Sequence, residues 1–185
     1  MPLRRAIEVV TELVAAGVIR QYAITGAVAA LNYIQPTLTE DLDILVSVDD
    51  FENRGSGLIL LTPIEAALAK LGYAERSDVG IQVEGWPVQF LPVASALDEE
   101  ALVEAESVEI RSAGGPTFTA RILRAEHILA TALKIGRLKD LARVEAFLDQ
   151  RAVDLGRLKD VLVRHELMPT WKVFLMKSGK EDVLE

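Results

Sequence analysis

The sequence predicts an α+β protein, a mixed sheet with flanking helices followed by a C-terminal helical bundle. Three observations predict it. Short runs of β-type residues bounded by turn residues recur up to about residue 120, strand signals stop at Arg124, and three apolar faces at helical spacing follow one another beyond it. The division expected is an α/β unit over residues 1–120 with a helical unit over residues 121–185 packed on it; no low-complexity linker or internal repeat separates them.

Residues 2–16 carry Ile7, Val10, Leu13 and Val14 at helical spacing with Arg and Glu between them, and Gly17 supplies a stop. Residues 18–25 read as a strand, and Gly26 opens the small-residue stretch 27–31, which suits a helix packed tightly on a sheet. Pro36 and the neighbouring threonines signal a loop before a second strand over residues 41–47. Thr62-Pro63-Ile64-Glu65 reads as a helix start with Thr62 as N-cap, Pro63 at the first helical position and Glu65 closing a capping box; this helix should end at Gly72. Residues 79–83 and 87–91 resemble two strands joined by the turn Glu84-Gly85, and residues 108–111 and 117–120 a second hairpin around Gly114-Gly115-Pro116. The three helical faces are Ile128, Leu129, Ala132, Leu133 and Ile135; Leu141, Val144, Phe147 and Leu148; and Leu155, Leu158, Val161 and Leu162.

Bulk properties narrow the function classes. Half of the 185 residues are hydrophobic, so a core is expected and disorder is excluded. The chain has no cysteine, which removes disulfides, thiolate metal sites and cysteine nucleophiles. Glu8 and Glu12 interrupt any signal-peptide core, and no apolar run is long enough to span a bilayer; a soluble cytoplasmic protein with no membrane partner is the expectation. A net charge of −8 argues against a protein that coats nucleic acid, although arginine and lysine concentrate beyond residue 120.

The most informative local feature is Asp41-Leu42-Asp43 in a run that otherwise reads as a buried strand. The pleat turns both carboxylates to one face and Leu42 and Ile44 to the other. Like charges side by side need a compensating cation, and asparate is disfavoured in strands, so a metal-binding role outweighs a solvated strand end. Two magnesium ions there would grip the leaving pyrophosphate and activate an attacking hydroxyl. Thr25-Gly26-Ala27 stands at a strand-to-helix junction, where backbone N–H groups favour a phosphate; the plain alternative is a glycine needed for a tight turn. Lys134, Arg137 and Lys139 read equally as a phosphate clamp or as cations at a helix C-terminus, with Asp140 neutralising a neighbour. His127 beside Glu126, and His165, read as surface or capping residues, and Trp86 and Trp171 as packing.

In this order the motifs resemble the nucleotidyltransferase superfamily of the DNA polymerase beta type, and within it the AbiEii-like toxin nucleotidyltransferases and their small relatives. The pattern is glycine followed by Gly or Ser at a strand-helix junction, Asp-x-Asp on the next strand, a third acid on a later strand, then a helical part with Lys and Arg-x-Lys-Asp. Gly26-Ala27, Asp41-Leu42-Asp43, and Lys134 with Arg137-Leu138-Lys139-Asp140 take these places, over residues 21–167. Gln89 stands where the third acid belongs, Ala27 replaces the expected Gly or Ser, and the loop before Asp41 lacks the arginine that relatives often carry.

The resemblance implies a nucleotidyltransferase-type sheet, Mg2+ held by Asp41 and Asp43, and an NTP substrate held by Thr25, Gly26, Ala27, Lys134, Arg137 and Lys139. The implied reaction moves a nucleoside monophosphate to a hydroxyl of RNA, such as tRNA, or of a protein. An AbiEii-like role would make the chain a toxin with a cognate antitoxin. Gln89 brings no charge and is no base at neutral pH, so weaker metal binding is expected, and a nucleotide-binding module without turnover is the alternative.

Overall fold

The computed structural model describes residues 2–35, 39, 41–47, 52–53, 58–59, 61–110 and 117–184. A six-stranded mixed sheet forms the centre, with strand order β5-β6-β2-β1-β8-β7. The strands are β1 (Tyr22–Ile24), β2 (Leu42–Val46), β5 (Ile81–Val83), β6 (Trp86–Pro92), β7 (Glu106–Ile110) and β8 (Phe118–Ile122); β3 (Glu52–Asn53) and β4 (Leu58–Ile59) pair separately. Helices α1 (Pro2–Ala15), α2 (Gly26–Ala30), α3 (Thr62–Lys70) and α4 (Ala96–Val103) flank the sheet portion. They are followed by the bundle α5 (Ala125–Ile135), α6 (Leu138–Asp149), α7 (Leu155–Arg164) and α8 (Met168–Ser178). A mixed sheet with flanking helices followed by a C-terminal helical bundle is the fold class expected from the sequence.

Strand β2 sits between β6, to which it runs parallel, and β1, to which it runs antiparallel. Being central, it is buried: Leu42, Ile44 and Val46 are all fully enclosed. The alanines of α2 let that helix lie close on β2, as the small-residue run implied. One buried cluster runs from Ala6 and Ile7 in α1 through the sheet to Phe147, Leu158 and Trp171 in the bundle, so the helical part shares its apolar core with the sheet. Trp171 is fully buried and donates from Nε1 to Asp182 at 2.9 Å, while Trp86 is half-buried against the core.

Several local expectations shift. Residues 18 and 19 do not extend the first strand, because their N–H groups turn back onto the Leu13 carbonyl at 2.9 and 3.3 Å and cap α1 instead. Leu61, not Thr62, is the N-cap of α3, and no side chain caps it; Thr62 is already helical and the capping box is not formed. Glu84 and Gly85, with φ of 53° and 81°, make the tight β5–β6 turn as read from their sequence. Strands β7 and β8 pair as a hairpin, while the turn expected at Gly114-Gly115-Pro116 lies outside the described residues.

Helices α4 and α8 escape periodicity arguments. The start of α4 is nevertheless written in Ser95-x-x-Asp98: Ser95 Oγ accepts from Asp98 N at 3.4 Å and donates to the Asp98 carboxylate at 2.7 Å. Ser95→Ala should therefore lower stability by about 1 kcal/mol in urea titration.

Candidate active site

The site is built on the neighbouring strands β2 and β6. Their parallel register puts Asp43 directly beside Gln89. Alternation along β2 turns Asp41, Asp43 and Leu45 toward a cavity and Leu42 and Ile44 away from it, and on β6 Gln89 and Leu91 share the cavity side. Gln89 is thus in register with Asp43 and on the same side of the sheet. Glu84 stays in its turn, accepting from the Tyr73 hydroxyl at 2.5 Å, and does not join the pair.

Gly26 closes the end of this wall. Thr25 N donates to the Asp43 carbonyl at 2.9 Å, which ties the β1–α2 junction to β2. The backbone of Gly26 is left-handed, with φ of 64°, and a Cβ there would lie 2.2 Å from Asp43 Oδ2. Glycine is required on both counts. Its closest neighbour is therefore the Asp43 carboxylate, a reason for the glycine beyond phosphate approach or turn formation.

The opposite wall is helical. Lys134 comes from the last turn of α5, Arg137 from the cap of α6, and Lys139, Asp140 and Arg143 from α6 itself. Asp140 is 2% exposed and accepts from Arg137 Nε at 2.6 Å; Arg143 Nη1 reaches its other oxygen at 3.4 Å. A buried carboxylate between two guanidinium groups holds both on the cavity wall and limits their rotamer freedom. Arg143 carries no motif of its own, but its spacing of three from Asp140 is the signal that places it here. Lys134 Nζ donates to Ser95 Oγ at 2.8 Å across the cleft mouth.

These walls enclose a cavity of about 470 Å³ lined by Thr25, Gly26, Asp41, Asp43, Gln89, Lys134, Arg137, Lys139 and Arg143 among others. Of the residues singled out from sequence, only Ala27 is elsewhere; it lines an adjoining depression with Thr39, Asp41, Lys139 and Arg143. Burial, and next the neighbouring Asp41 carboxylate, push the Asp43 pKa up, while Lys139, Arg143 and Arg137 oppose the rise. A cation between the two carboxylates would relieve that repulsion.

Among the described residues no cluster of three acidic, histidine or cysteine side chains could hold a metal. The donors at this wall are two carboxylates and the Gln89 amide oxygen, all hard oxygens. Such a set suits magnesium, which keeps several waters and needs few protein ligands.

A second polar centre lies outside the cleft. Of the two histidines read as surface or capping residues, His127 is buried, whereas His165 is partly buried and does stand at the C-cap of α7; both turn Nε2 toward Glu100, at 3.1 and 2.9 Å. Arg164 completes the centre with two bonds of 2.9 Å to the same carboxylate, while Glu126 accepts from Asp154 N at 3.0 Å instead of pairing with His127. Glu100 thereby ties α4 to α5 and α7. Burial pushes the His127 pKa down, and its unpartnered, buried Nδ1 fits a neutral ring that donates through Nε2.

Bonds from Arg164, then from the two histidines, hold the Glu100 carboxyl down at about 2 against an ordinary 4.5. The folded carboxylate is the better-stabilised form, so its contribution is complete above pH 4.5 and is lost as pH falls toward 2. Glu100→Gln should flatten the fall in thermal midpoint over that window while lowering the midpoint at neutral pH, as a differential-scanning series would show.

No family model matches the sequence, and no curated protein matches it. Among solved structures the chain is similar to the solution structure of the antibiotic-resistance factor ANT(2'')-Ia, a structure described as revealing substrate-regulated conformation dynamics. Identity is 16%, the match covers 94% of this chain and 95% of that one, and the TM-score is 0.48. A likeness of that degree says nothing of what this chain acts on, so a functional reading has to come from the geometry of the cleft.

Proposed function

We propose that this chain is a magnesium-dependent nucleotidyltransferase, moving a nucleoside monophosphate from an NTP to a hydroxyl of RNA or protein. The observation that carries the reading is one cavity with Asp41, Asp43 and Gln89 on its strand wall and Lys134, Arg137, Lys139 and Arg143 on its helical wall. That polarity matches a triphosphate neutralised by a metal on one side and by cations on the other.

In this reading Arg137 and Arg143, pre-set by Asp140, bind phosphate oxygens as forks, and Lys134 and Lys139 act as point charges. Thr25, Gly26 and Ala27 offer backbone to the triphosphate from the β1–α2 junction. Asp41 and Asp43, with the Gln89 carbonyl, would hold magnesium in a two-ion site, and bound magnesium would supply charge neutralisation of the leaving pyrophosphate and activation of the acceptor. The chain's own contribution is positioning and electrostatic stabilisation of an in-line transfer.

The AbiEii-like motif order supports a role as the toxin of a toxin-antitoxin pair, acting in the cytoplasm on an acceptor such as tRNA and restrained by a cognate antitoxin. Among the described residues no helix is long and apolar enough to cross a membrane.

One observation favours a second reading, a nucleotide-binding module without turnover. Gln89 sits beside Asp43 in register, where a carboxylate would complete the acidic set. The test is magnesium-dependent labelling of RNA or protein by radiolabelled NTPs. Labelling by the wild type establishes the transferase. No labelling by the wild type, with labelling by Gln89→Asp, establishes the binding module.

Both readings require Mg-NTP to raise the thermal midpoint. Saturation at a hundredfold over Kd corresponds to about 2.7 kcal/mol and a midpoint rise of several degrees. No shift with any of the NTPs would sink both.

A further inference from the structure

We propose that the Thr39 hydroxyl is itself a nucleotidylation site, modified in cis from the NTP held in the cleft; this rests on the nucleotidyl-transfer reading. Thr39 Oγ1 donates to the Asp41 carbonyl at 3.1 Å and lies 3.4 Å from Asp41 Oδ1. A chain hydroxyl therefore already stands against Asp41, one carboxylate of the pair that is to organise the reaction.

The two cavities meet at this point. Asp41, Lys139 and Arg143 line both the triphosphate cavity and the adjoining depression, whereas Thr39 belongs to the depression alone. Lys139 and Arg143 therefore border both the cavity proposed for the triphosphate and the depression that contains Thr39.

The depression is about 700 Å³ in volume. That is within the roughly 300–1,000 Å³ typical of small-ligand sites, so it has room for the transferred nucleotide. Ser77, the other hydroxyl of this wall, is turned to Gly80, donating to its carbonyl at 3.2 Å. Among the described residues no aromatic ring lines either cavity.

The step balances as a simple displacement. Thr39 Oγ1 bonds to the α-phosphorus, and the bond from that phosphorus to the oxygen bridging to the β-phosphate breaks. Pyrophosphate leaves with the electron pair, and the hydroxyl proton is released to solvent. The product is a phosphodiester whose nucleoside fills the depression beside Asp41, which makes the modification self-limiting for external acceptors.

The test is intact-mass and peptide-fragmentation analysis of the full chain after incubation with Mg2+ and each NTP, alongside a pyrophosphate-release assay. The expected result is one added nucleoside monophosphate on Thr39, formed at a rate independent of protein concentration, retained in Thr39→Ser and absent in Thr39→Val. A label on another residue, a rate that rises with protein concentration, or no label overturns the proposal. Unlabelled protein that still releases pyrophosphate, or still labels added RNA or protein, overturns self-modification alone. Absence of label, pyrophosphate release and thermal shift together overturns the nucleotidyl-transfer reading as well.

Discussion

Asp43→Asn should abolish nucleotidyl transfer while leaving the folded protein at least as stable as the wild type. The carboxylate, the proposed metal ligand, lies on a central strand beside Gln89 and against Gly26. Removing its charge takes away half of the acidic pair, and a loss of about 10³-fold or more in transfer rate is expected from losing a group that organises transition-state charge.

Stability should move the other way. Burial and Asp41 raise the Asp43 pKa, so the ionised form is disfavoured in the fold relative to the unfolded chain, whose ordinary value is 3.8. That penalty is absent at pH values below 3.8 and develops as pH rises through the folded pKa. In metal-free buffer at neutral pH, Asp43→Asn should therefore raise the thermal midpoint, and the gain should vanish on acidification. Saturating magnesium should reverse the order by stabilising only the wild type. A variant that lost both activity and stability in metal-free buffer would place Asp43 in the structural core instead.

Gly26→Ala should produce the largest combined loss. Left-handed backbone costs a residue with a Cβ about 1–2 kcal/mol. The new methyl would also stand 2.2 Å from Asp43 Oδ2, so the carboxylate must leave its place. A displacement of about 1 Å in a reacting site is enough for a loss of about 10²-fold. The two contributions to stability separate in a double-mutant cycle read by denaturant titration. In an Asp43→Ala background the 2.2 Å clash disappears, and the backbone cost remains with a 3.3 Å contact to the Cβ of residue 43. An equal penalty in both backgrounds would mean that the carboxylate does not rest on Gly26.

Much of the cleft was legible along the chain because its parts are local. Asp41 and Asp43 are two apart on a strand, so the pleat alone brings them to one face. Lys134, Arg137 and Lys139 fall at the junction of α5 and α6, so the short turn between the two helices carries them together. Gln89 could be placed because the Glu84-Gly85 turn sets the start of β6 within a residue.

Contacts between distant segments were not legible. Glu100 stands on α4, a helix with weak periodicity, and nothing near it in the chain announces that His127, Arg164 and His165 converge on it. His127 is flanked by Glu126 and Ile128 and His165 by Arg164 and Glu166, and their shared partner lies 27 and 65 positions away. Arg143 was one more cation on an exposed-looking helix until the buried Asp140 oriented it. The shift of the α3 cap from Thr62 to Leu61 has the same origin in part, since propensity rules place a helix start only to within a residue or two.

Short-range pattern therefore decided the fold class, the order of strands and helices along the chain, and the set of charged residues available for chemistry. Strand alternation, helical spacing and turn residues act over a few positions, and that is the range over which a linear sequence carries physical constraint. Only the tertiary structure decided that β2 and β6 lie in parallel register with Asp43 beside Gln89, that α6 faces them across a cavity, and that Gly26 is held bare by a carboxylate. Register between strands separated by some forty residues follows from the packing of the whole core, and no local segment contains that information.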